Sequence, residues 1–315
     1  MTDTAEASRN WERQALEKVA LAAVAEQRRA RRWGIFFKLV GFVYLFLLLF
    51  VLLGWISQTT EVGFPGKHTA LVDLRGVIAP DSRASAELMI KGLRKAFDDS
   101  NTAGVILRIN SPGGSAVQAG MISDEIRQLR KEHPKVPIYA VVEDVCASGA
   151  YYVASATDKI FVNRASLVGS IGVLIEGFGF SDALQKLGVH RRLITAGKHK
   201  GFLDPFSPLS PEDRAYAEKM VEQVHQQFIA AVKAGRGARL KDSPDLFSGL
   251  VWTGETSVEL GLADGFGTTD NVARDVIKAK EIVDYTPQQS LVERVAHRIG
   301  TSLASSFFGA GVQLR

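Results

Sequence analysis

A long apolar run near the N-terminus is the strongest hydrophobic pattern in the chain. Residues 39–56 (LVGFVYLFLLLFVLLGWI) carry no charge, and a helix of that length spans about 27 Å of a hydrocarbon layer about 30 Å thick. Trp33 precedes the run and Trp55 lies next to its C-terminal end, and aromatic side chains commonly act as anchors at membrane interfaces. The pattern predicts a transmembrane helix at residues 34–56. A buried core helix is the alternative.

Basic residues are concentrated on one side of this run. In the C-terminal flank, Glu61 is the only charged residue before Lys67. No A-x-A cleavage site follows the run. The positive-inside rule then places residues 1–33 in the cytosol as a basic tail, with an uncleaved signal anchor and an exported remainder. The basic residues of the N-terminal flank are Arg28, Arg29, Arg31, Arg32 and Lys38.

Beyond a Pro- and Gly-containing linker at residues 57–67, strand patterns alternate with helix patterns. This order predicts βαβ crossovers and a mainly parallel sheet in an exported domain at residues 68–285. Strands are predicted at 68–78, 103–109, 136–143, 159–163, 169–175 and 190–196. Helices are predicted at 85–100, 117–131 and 211–235, the last introduced by Ser210.

The C-terminal tail, residues 286–315, has a pattern of its own. Leu291, Val295, Ile299, Leu303 and Phe307 recur every four positions, which predicts an amphipathic helix. Such a helix docks on a partner subunit or on the membrane surface, or it packs on its own domain.

Composition narrows the function classes. The apolar share of 46% and the charged share of 23% are typical of a globular protein. The net charge of +4 is concentrated in the N-terminal flank, so topology explains it better than a nucleic-acid partner does. The single cysteine excludes an intrachain disulfide, and the six histidines are scattered. We therefore expect no metal site.

Two junctions between a predicted strand and a predicted helix could carry chemistry. In the first, INSPGGSA, Gly113 and Gly114 free the backbone to point N–H groups outward, in an anion-binding loop or simply in a tight turn. In the second, Ser148 has the place of a nucleophile, with the N–H of Gly149 beside it, although the pattern alone favours an ordinary helix cap or a helix-packing serine. Cys146 is a weaker candidate, because free cysteines are usually buried packing residues.

A nucleophilic serine needs a base, and the residues alone do not identify one. Four histidines could be tried, but none has a distinctive setting. A lysine can act as the base if burial lowers its pKa from about 10.4 toward about 7 to 8. Lys198 and Lys200 both remain open. The histidines are His133, His190, His199 and His225.

Four motifs in order resemble one known family. After the single N-terminal anchor come NSPGG, ASGAYYVASATDKI, VGSIGV and GKHKGFLDPFSPLS. The set is similar to that of the signal peptide peptidase A family of membrane-bound serine proteases, in its short, single-repeat form, over about residues 69–267. The resemblance implies an α/β fold of the ClpP/crotonase type, built from repeated ββα units and preceded by one transmembrane helix.

The resemblance also implies a role for individual residues. The serine of the ASG motif corresponds to Ser148, and the later lysine of the GKxK element corresponds to Lys200, which together imply a Ser/Lys dyad. Gly114, the second glycine of SPGG, would form the oxyanion hole with Gly149. Ser170, in GSIG, would hydrogen-bond the lysine and orient it. No metal or cofactor is implied.

The family's substrates, assembly and location complete the expectation. Its members cut remnant signal peptides in their apolar stretch, beside the bacterial inner membrane, with the catalytic domain on the periplasmic side. They form rings or domes, and in the short form the serine and the lysine come from adjacent subunits, so we expect a homo-oligomer, an octamer by resemblance. Residues 201–204 depart from the best-known members, which leaves peptide preference open. The alternatives are a related protease that cuts membrane proteins or partners a membrane scaffold protein, a crotonase-like acyl-CoA enzyme and an inactive oligomeric scaffold.

Overall fold

The computed structural model describes residues 3–59 and 66–287, and the chain divides into two compact units at about residue 63. The first unit holds one helix, α1 (Asp3–Thr59). Within it, Glu26–Val51 has a hydropathy of 2.5 and is long and apolar enough to cross a membrane. This stretch contains most of the predicted span. The predicted amphipathic tail lies outside the described residues, apart from residues 286 and 287.

The second unit is built on an eight-stranded sheet with the order β6-β5-β3-β2-β1-β8. Every described pairing is parallel except that of β5 with β6. The amino-terminal half of β3 also pairs with β4, which in turn pairs with β7. The strands are β1 (His68–Arg75), β2 (Thr102–Ser111), β3 (Ile138–Ala147), β4 (Lys159–Val162), β5 (Leu167–Gly169), β6 (Val251–Thr253), β7 (Gly265–Phe266) and β8 (Ile282–Asp284).

Helices cover both faces of this sheet. The main core lies between one face and the helices α2 to α4 and α6, where Val72, Leu107 and Ile126 are fully buried. A smaller cluster around Ile106 lies on the opposite face, against a short π-helical stretch, Val272–Ile277. The remaining helices are α2 (Ala86–Asp98), α3 (Ala116–Glu132), α4 (Gly149–Ala154), α5 (Ser181–Lys186), α6 (Pro211–Arg236), α7 (Gly254–Glu259) and α8 (Thr269–Asn271), with a 3₁₀ turn at Gly237–Arg239.

The long helix α6 begins where its sequence predicts. Ser210 accepts a hydrogen bond from the Asp213 N–H, and Pro211 occupies the first turn, where its missing N–H has no cost. The helix ends at Arg236, followed by Gly237 at φ 55°. Polar capping and a proline in the first turn thus fix the residue at which this helix begins.

Two predicted strands are wrong. Of residues 169–175 only Gly169 belongs to a strand, and residues 190–196 have no regular secondary structure. Both segments contain apolar residues that the sheet does not bury: Leu174 is 54% exposed and Ile194 is 95% exposed. These segments belong to a largely irregular, exposed excursion that we call the arm, residues 173–209, in which α5 is the one helix.

Candidate active site

The carboxyl ends of three neighbouring strands bring the predicted site residues together. In the parallel register, Ser111 of β2 pairs with Cys146 of β3, and Ala147 of β3 pairs with Gly169 of β5. The Ser148 N–H donates to the Gly169 carbonyl at 2.8 Å. Ligands of α/β sheets bind at this edge. The residues that follow the strand ends are Gly113 and Gly114 after β2, Ser148 and Gly149 after β3, and Ser170 after β5.

The backbone of Ser148 adopts a conformation that non-glycine residues avoid. Its φ is 53° and its ψ is −126°, at a sharp turn from β3 into α4. A residue in such a region typically costs about 1 to 3 kcal/mol of strain, and nucleophilic serines of other hydrolases sit on strained turns of this kind. The Ser148 side chain makes no capping hydrogen bond to α4. The ordinary-cap interpretation therefore fails, and the hydroxyl is left for other chemistry.

The glycine loop after β2 lies against Ser148 so closely that side chains do not fit. A Cβ on Gly113 would lie 2.6 Å from the Gly149 nitrogen and 2.9 Å from the Ser148 Cβ. Gly114, at φ 144°, forms an isolated parallel β-bridge with Ile78, and a Cβ on Gly114 would lie 2.2 Å from the Ile78 carbonyl oxygen. The two glycines are thus required by close backbone approach.

Two backbone N–H groups beside Ser148 have no acceptor among residues 66–287. They are those of Gly114 and Gly149. A Cβ built on Gly149 would lie 3.4 Å from the Gly114 nitrogen, so the two groups are near neighbours. Unpaired backbone donors next to a candidate nucleophile have the arrangement of an oxyanion hole.

These groups line a cleft of about 820 Å³, within the usual range for ligand sites. Its walls come from α3 and α6 and are largely apolar, and its lining has two charged side chains, Asp124 and Glu176. Such a lining suits an apolar stretch of peptide better than a polar ligand. The large apolar and aromatic side chains of the lining are Val77, Val117, Met121, Val173, Leu174, Val224, Tyr152 and Phe228.

A buried polar cluster contacts α4, the short helix that follows Ser148. Tyr151 of α4 donates its hydroxyl to the Leu262 carbonyl at 2.8 Å. Arg236, whose side chain is 1% exposed, donates to the Gly261 carbonyl at 3.0 Å and to Asp264 at 2.7 Å. Burial raises the pKa of Asp264, but the hydrogen bond from Arg236 outweighs it with the help of other donors, and the net pKa is lowered. A paired buried arginine thus connects α6 to the loop that supports α4.

Ser170 and Lys200 differ in their placement. Ser170 lines the cleft, at φ 51°, next to the backbone of Ser148. Lys200 is exposed on a turn of the arm and does not line the cleft. A single chain therefore brings together Ser148, Gly114, Gly149 and Ser170 but not Lys200.

The neighbours of Lys200 are held by carboxylates at the start of α6. Lys198 pairs with Glu212 at 2.9 Å, and His199 pairs with Asp213 at 3.2 Å. The Lys200 ammonium has no partner among the described residues. Of the two lysines that the sequence left open, the later one is thus the one with a free amine.

The other candidates from the sequence are not placed for catalysis. Cys146 is fully buried, and burial raises the pKa of its thiol. His133 stacks at a tilt on Phe97, and His225 contacts the Ile171 carbonyl at 3.1 Å. No histidine is among the residues that line the cleft.

Three features of the site had no signal in the sequence. The strained turn at Ser148 is a backbone property, and the contact of Gly114 with Ile78 joins distant parts of the chain. The cleft wall formed by Phe228 was equally invisible, because its distance along the chain from Ser148 is large. A helix was predicted there, but not what it faces.

Known proteins with similar sequences cover most of the second unit. A protein of Brucella abortus named Na(+)/H(+) antiporter NhaA is 45% identical over 217 residues, which are 68% of this chain and 29% of that protein. The chain therefore spans under a third of that relative. A protein of Enterococcus faecium named "Putative signal peptide peptidase SppA" is 30% identical over 238 residues, 73% of this chain and 69% of that protein. Serine protease SPPA, chloroplastic, of Arabidopsis thaliana is 31% identical over 233 residues, 74% of this chain and 34% of that protein.

The family model described as Peptidase family S49 matches residues 130–283, a range that includes Ser148, Ser170 and Lys200. The mainly parallel sheet agrees with the predicted α/β, ClpP-like fold, which is confirmed. The motif resemblance is confirmed as well, by this match and by a relative of which the chain covers more than two thirds. The chain therefore belongs to peptidase family S49, the signal peptide peptidase A family of proteases.

Proposed function

We propose that the chain is a membrane-anchored serine endopeptidase whose nucleophile is Ser148. One observation carries the proposal: the Ser148 hydroxyl, free of any cap, lies on a strained turn beside the unpaired N–H groups of Gly114 and Gly149. This is the arrangement that acyl transfer needs, because a tetrahedral oxyanion forms next to the attacking oxygen. Each such donor is typically worth about 10² to 10³ in rate.

The base of the proposed reaction is the neutral amine of Lys200. It takes the Ser148 proton as the oxygen attacks the peptide carbonyl, and it later protonates the leaving amine. The same amine then activates a water molecule that releases the acyl-enzyme. Ser170 orients the amine by a hydrogen bond, from its place beside Ser148.

The lysine of each site comes from a neighbouring copy of the chain. Lys200 lies outside the cleft of its own chain, on an arm with large exposed apolar side chains. Phe178 is 80% exposed, Leu187 is 75% exposed and Ile194 is 95% exposed. Apolar surface of this extent is typical of an interaction site, and head-to-tail contacts between identical chains close into rings. A ring of eight copies is our proposal from the family resemblance.

The substrates are apolar peptides left at the membrane, above all remnant signal peptides. The apolar walls of the cleft favour such peptides over charged ones. The candidate span Glu26–Val51, with its basic N-terminal flank, holds the enzyme in the bacterial inner membrane with the catalytic unit on the periplasmic side. A set of synthetic signal peptides, compared with intact membrane proteins, distinguishes this specificity from that of a relative that cuts membrane proteins.

The nucleophile is tested with a fluorescent, serine-directed acylating probe on the purified full-length chain in detergent. Four proteins are compared: wild type, Ser148→Ala, Lys200→Ala and Ser100→Ala, a control at an exposed turn. We expect a stable adduct on wild type and on the control only, and peptide hydrolysis only from those two. Peptide hydrolysis by Ser148→Ala at the wild-type rate would refute the proposal.

A further inference from the structure

A second cleft lies at the opposite edge of the sheet from Ser148. It has a volume of about 600 Å³ and is formed where α3 ends and where β3 and β4 begin. Because β3 runs through ten residues from Ile138 to Ala147, about 30 Å separates this edge from the nucleophile. We call it the basic cleft, because its lining includes five cationic side chains: Arg127, Arg130, Lys131, Lys135 and Lys159.

The basic cleft contains little to balance this charge. Asp158 is the one acidic side chain of its lining. Both Asp158 carboxylate oxygens already have partners, since Oδ1 pairs with Arg130 and Oδ2 accepts the Ile138 N–H at 2.9 Å. The remaining lysines come from three different segments and project positive charge into or around one concavity.

Two arginine N–H groups in this cleft are buried and lack an acceptor. Arg130 is fixed through Nη1 to the Ala156 carbonyl at 2.8 Å and through Nη2 to Asp158, and its Nε is left without a partner. Arg127 contacts Asp124 through Nη1 at 3.3 Å, and its Nη2 is left without a partner. Because the protein itself covers these two nitrogens, a ligand in the cleft would meet the exposed ammonium groups of Lys131, Lys135 and Lys159, which have no ion pair among the described residues.

Ordinary helix electrostatics explains only part of this cluster. Cations near the C-terminus of a helix interact favourably with its dipole, which accounts for Arg130 and Lys131 in the last turn of α3. It does not account for Lys135 in the following loop or for Lys159 at the start of β4.

We propose that the basic cleft binds a phosphate group. A phosphate offers several strong acceptor oxygens to the three exposed ammonium groups, and the fixed guanidinium of Arg130 adds positive charge beside them. The group could belong to a soluble phosphate ester or to the head group of an anionic phospholipid. The two sources are distinguished by the probes that follow.

Binding is measured by isothermal titration calorimetry on the full-length chain in a neutral detergent. The probes are inorganic phosphate, dihexanoyl phosphatidic acid and, as the zwitterionic control, dihexanoyl phosphatidylcholine. Both lipids are used below their critical micelle concentrations. We expect saturable binding of both anionic probes, and binding that weakens as salt is added. Phosphatidic acid that binds about tenfold tighter than phosphate identifies a lipid head group, whereas equal affinities identify a soluble phosphate ester.

Substitutions then assign the binding to this cleft. Arg127→Gln with Lys159→Gln should weaken the affinity about tenfold or more, because it removes two of the positive charges around the phosphate. Lys91→Gln with Lys219→Gln, an equal loss of two charges at exposed positions of α2 and α6 outside the cleft lining, should leave the affinity unchanged. If the Arg127 variant fails to fold, Lys135→Gln with Lys159→Gln, both at exposed positions, replaces it.

Two results would overturn the proposal. One is the absence of saturable binding of either anionic probe to the wild-type chain. The other is an affinity that falls no more in the cleft double variant than in Lys91→Gln with Lys219→Gln, since that outcome assigns the binding to the general positive charge of the surface. Both results are independent of the peptidase proposal, because labelling of Ser148 is measured separately.

Discussion

The two halves of the proposed catalytic machinery are built differently. Around Ser148, strand ends, close glycine contacts and an unusual backbone angle fix the positions of the atoms within one chain. Around Lys200, the chain is largely irregular, exposed and rich in apolar side chains that nothing in the described residues covers. The proposed nucleophile and its proposed oxyanion donors are thus together in the single chain, whereas the proposed base is on a surface that is typical of an interface.

Because of this difference, substitutions in the two regions should affect different properties of the protein. Substitutions under the Ser148 turn should change the free energy of unfolding of the chain itself. Substitutions in the arm should change association and activity but leave the fold of the single chain nearly unaffected. Four experiments test the contrast, beginning with the largest expected effect.

Removing the buried arginine should destabilise the nucleophile half most. Arg236→Met leaves Asp264 and the Gly261 carbonyl without their main donor, and breaking a buried pair in this way typically costs about 3 to 5 kcal/mol. Urea unfolding of the chain in detergent measures the change. The matched control is Arg274→Met, whose ion pair with Asp275 is exposed and which should cost less than about 1 kcal/mol. Equal costs for the two variants would contradict the account.

Adding one methyl group to the glycine loop after β2 should have the second largest effect, and the effect should be on activity. Gly114→Ala places its Cβ about where the Ile78 carbonyl lies, so the loop must shift and its N–H moves away from the oxyanion. We expect kcat/KM to fall by about 10² to 10³. Gly120→Ala is the control on the same cleft, because a Cβ there meets nothing within 4 Å and helix propensity favours alanine. A wild-type kcat/KM in Gly114→Ala would remove Gly114 from the oxyanion hole.

Polar substitution of the arm should reduce assembly and not folding. Phe178→Ser with Ile194→Ser removes two exposed apolar side chains, and we expect association and activity to fall about ten- to a hundredfold. The thermal midpoint of the chain should remain close to wild type, since exposed positions rarely change stability by more than about 0.5 kcal/mol. Sedimentation velocity and peptide hydrolysis measure the two effects, with Val276→Ser as a control outside the arm. Unchanged association would show that the arm is not the interface.

Loosening the turn that carries Lys200 should have the smallest effect. Glu212→Gln breaks the contact with Lys198, and we expect kcat to fall a few-fold with little change in stability. The hydrogen bond from Lys198 lowers the pKa of Glu212 below its ordinary 4.5, so the contact holds throughout the neutral range and is lost only as the pH falls through that lowered value. The acid limb of the pH–rate profile near neutrality should therefore keep its position in this variant. Glu218→Gln, on the same helix, is the control, and a limb displaced only in Glu212→Gln would mean that Glu212 itself titrates in catalysis.

Much of the nucleophile half could be predicted from the sequence. The strands β1 to β3 and the helices α3 and α6 have clear periodicity, and their order places Ser148 and Gly114 at carboxyl ends of parallel strands. Local patterns suffice there because the residues that build the site are close to the ends of regular elements. The strain at Ser148 and the pinning of Gly114 by Ile78 depend on three-dimensional contacts, which a local pattern does not contain.

The arm could not be predicted in the same way. Its apolar residues, Leu193 and Ile194 among them, have the pattern of a buried strand, and they were assigned to one. Burial inside a chain and burial between chains require the same residues, so hydrophobicity alone does not distinguish them. The residues alone also do not distinguish Lys198 from Lys200, because the two lysines lie in the same segment and a local pattern does not show which of them has a carboxylate partner. The structure separates the two, since Lys198 is paired with Glu212.

Co-expression of two inactive chains tests most directly whether Lys200 completes the site of a neighbouring copy. Ser148→Ala supplies the lysine and Lys200→Ala supplies the serine, and neither chain alone should hydrolyse peptide. If the dyad forms between chains, mixed assemblies from equal amounts of both should recover about a quarter of wild-type activity, since random neighbours then complete that share of the sites. Mixed assemblies that form, as shown by co-purification through different tags, yet hydrolyse no peptide would contradict the account.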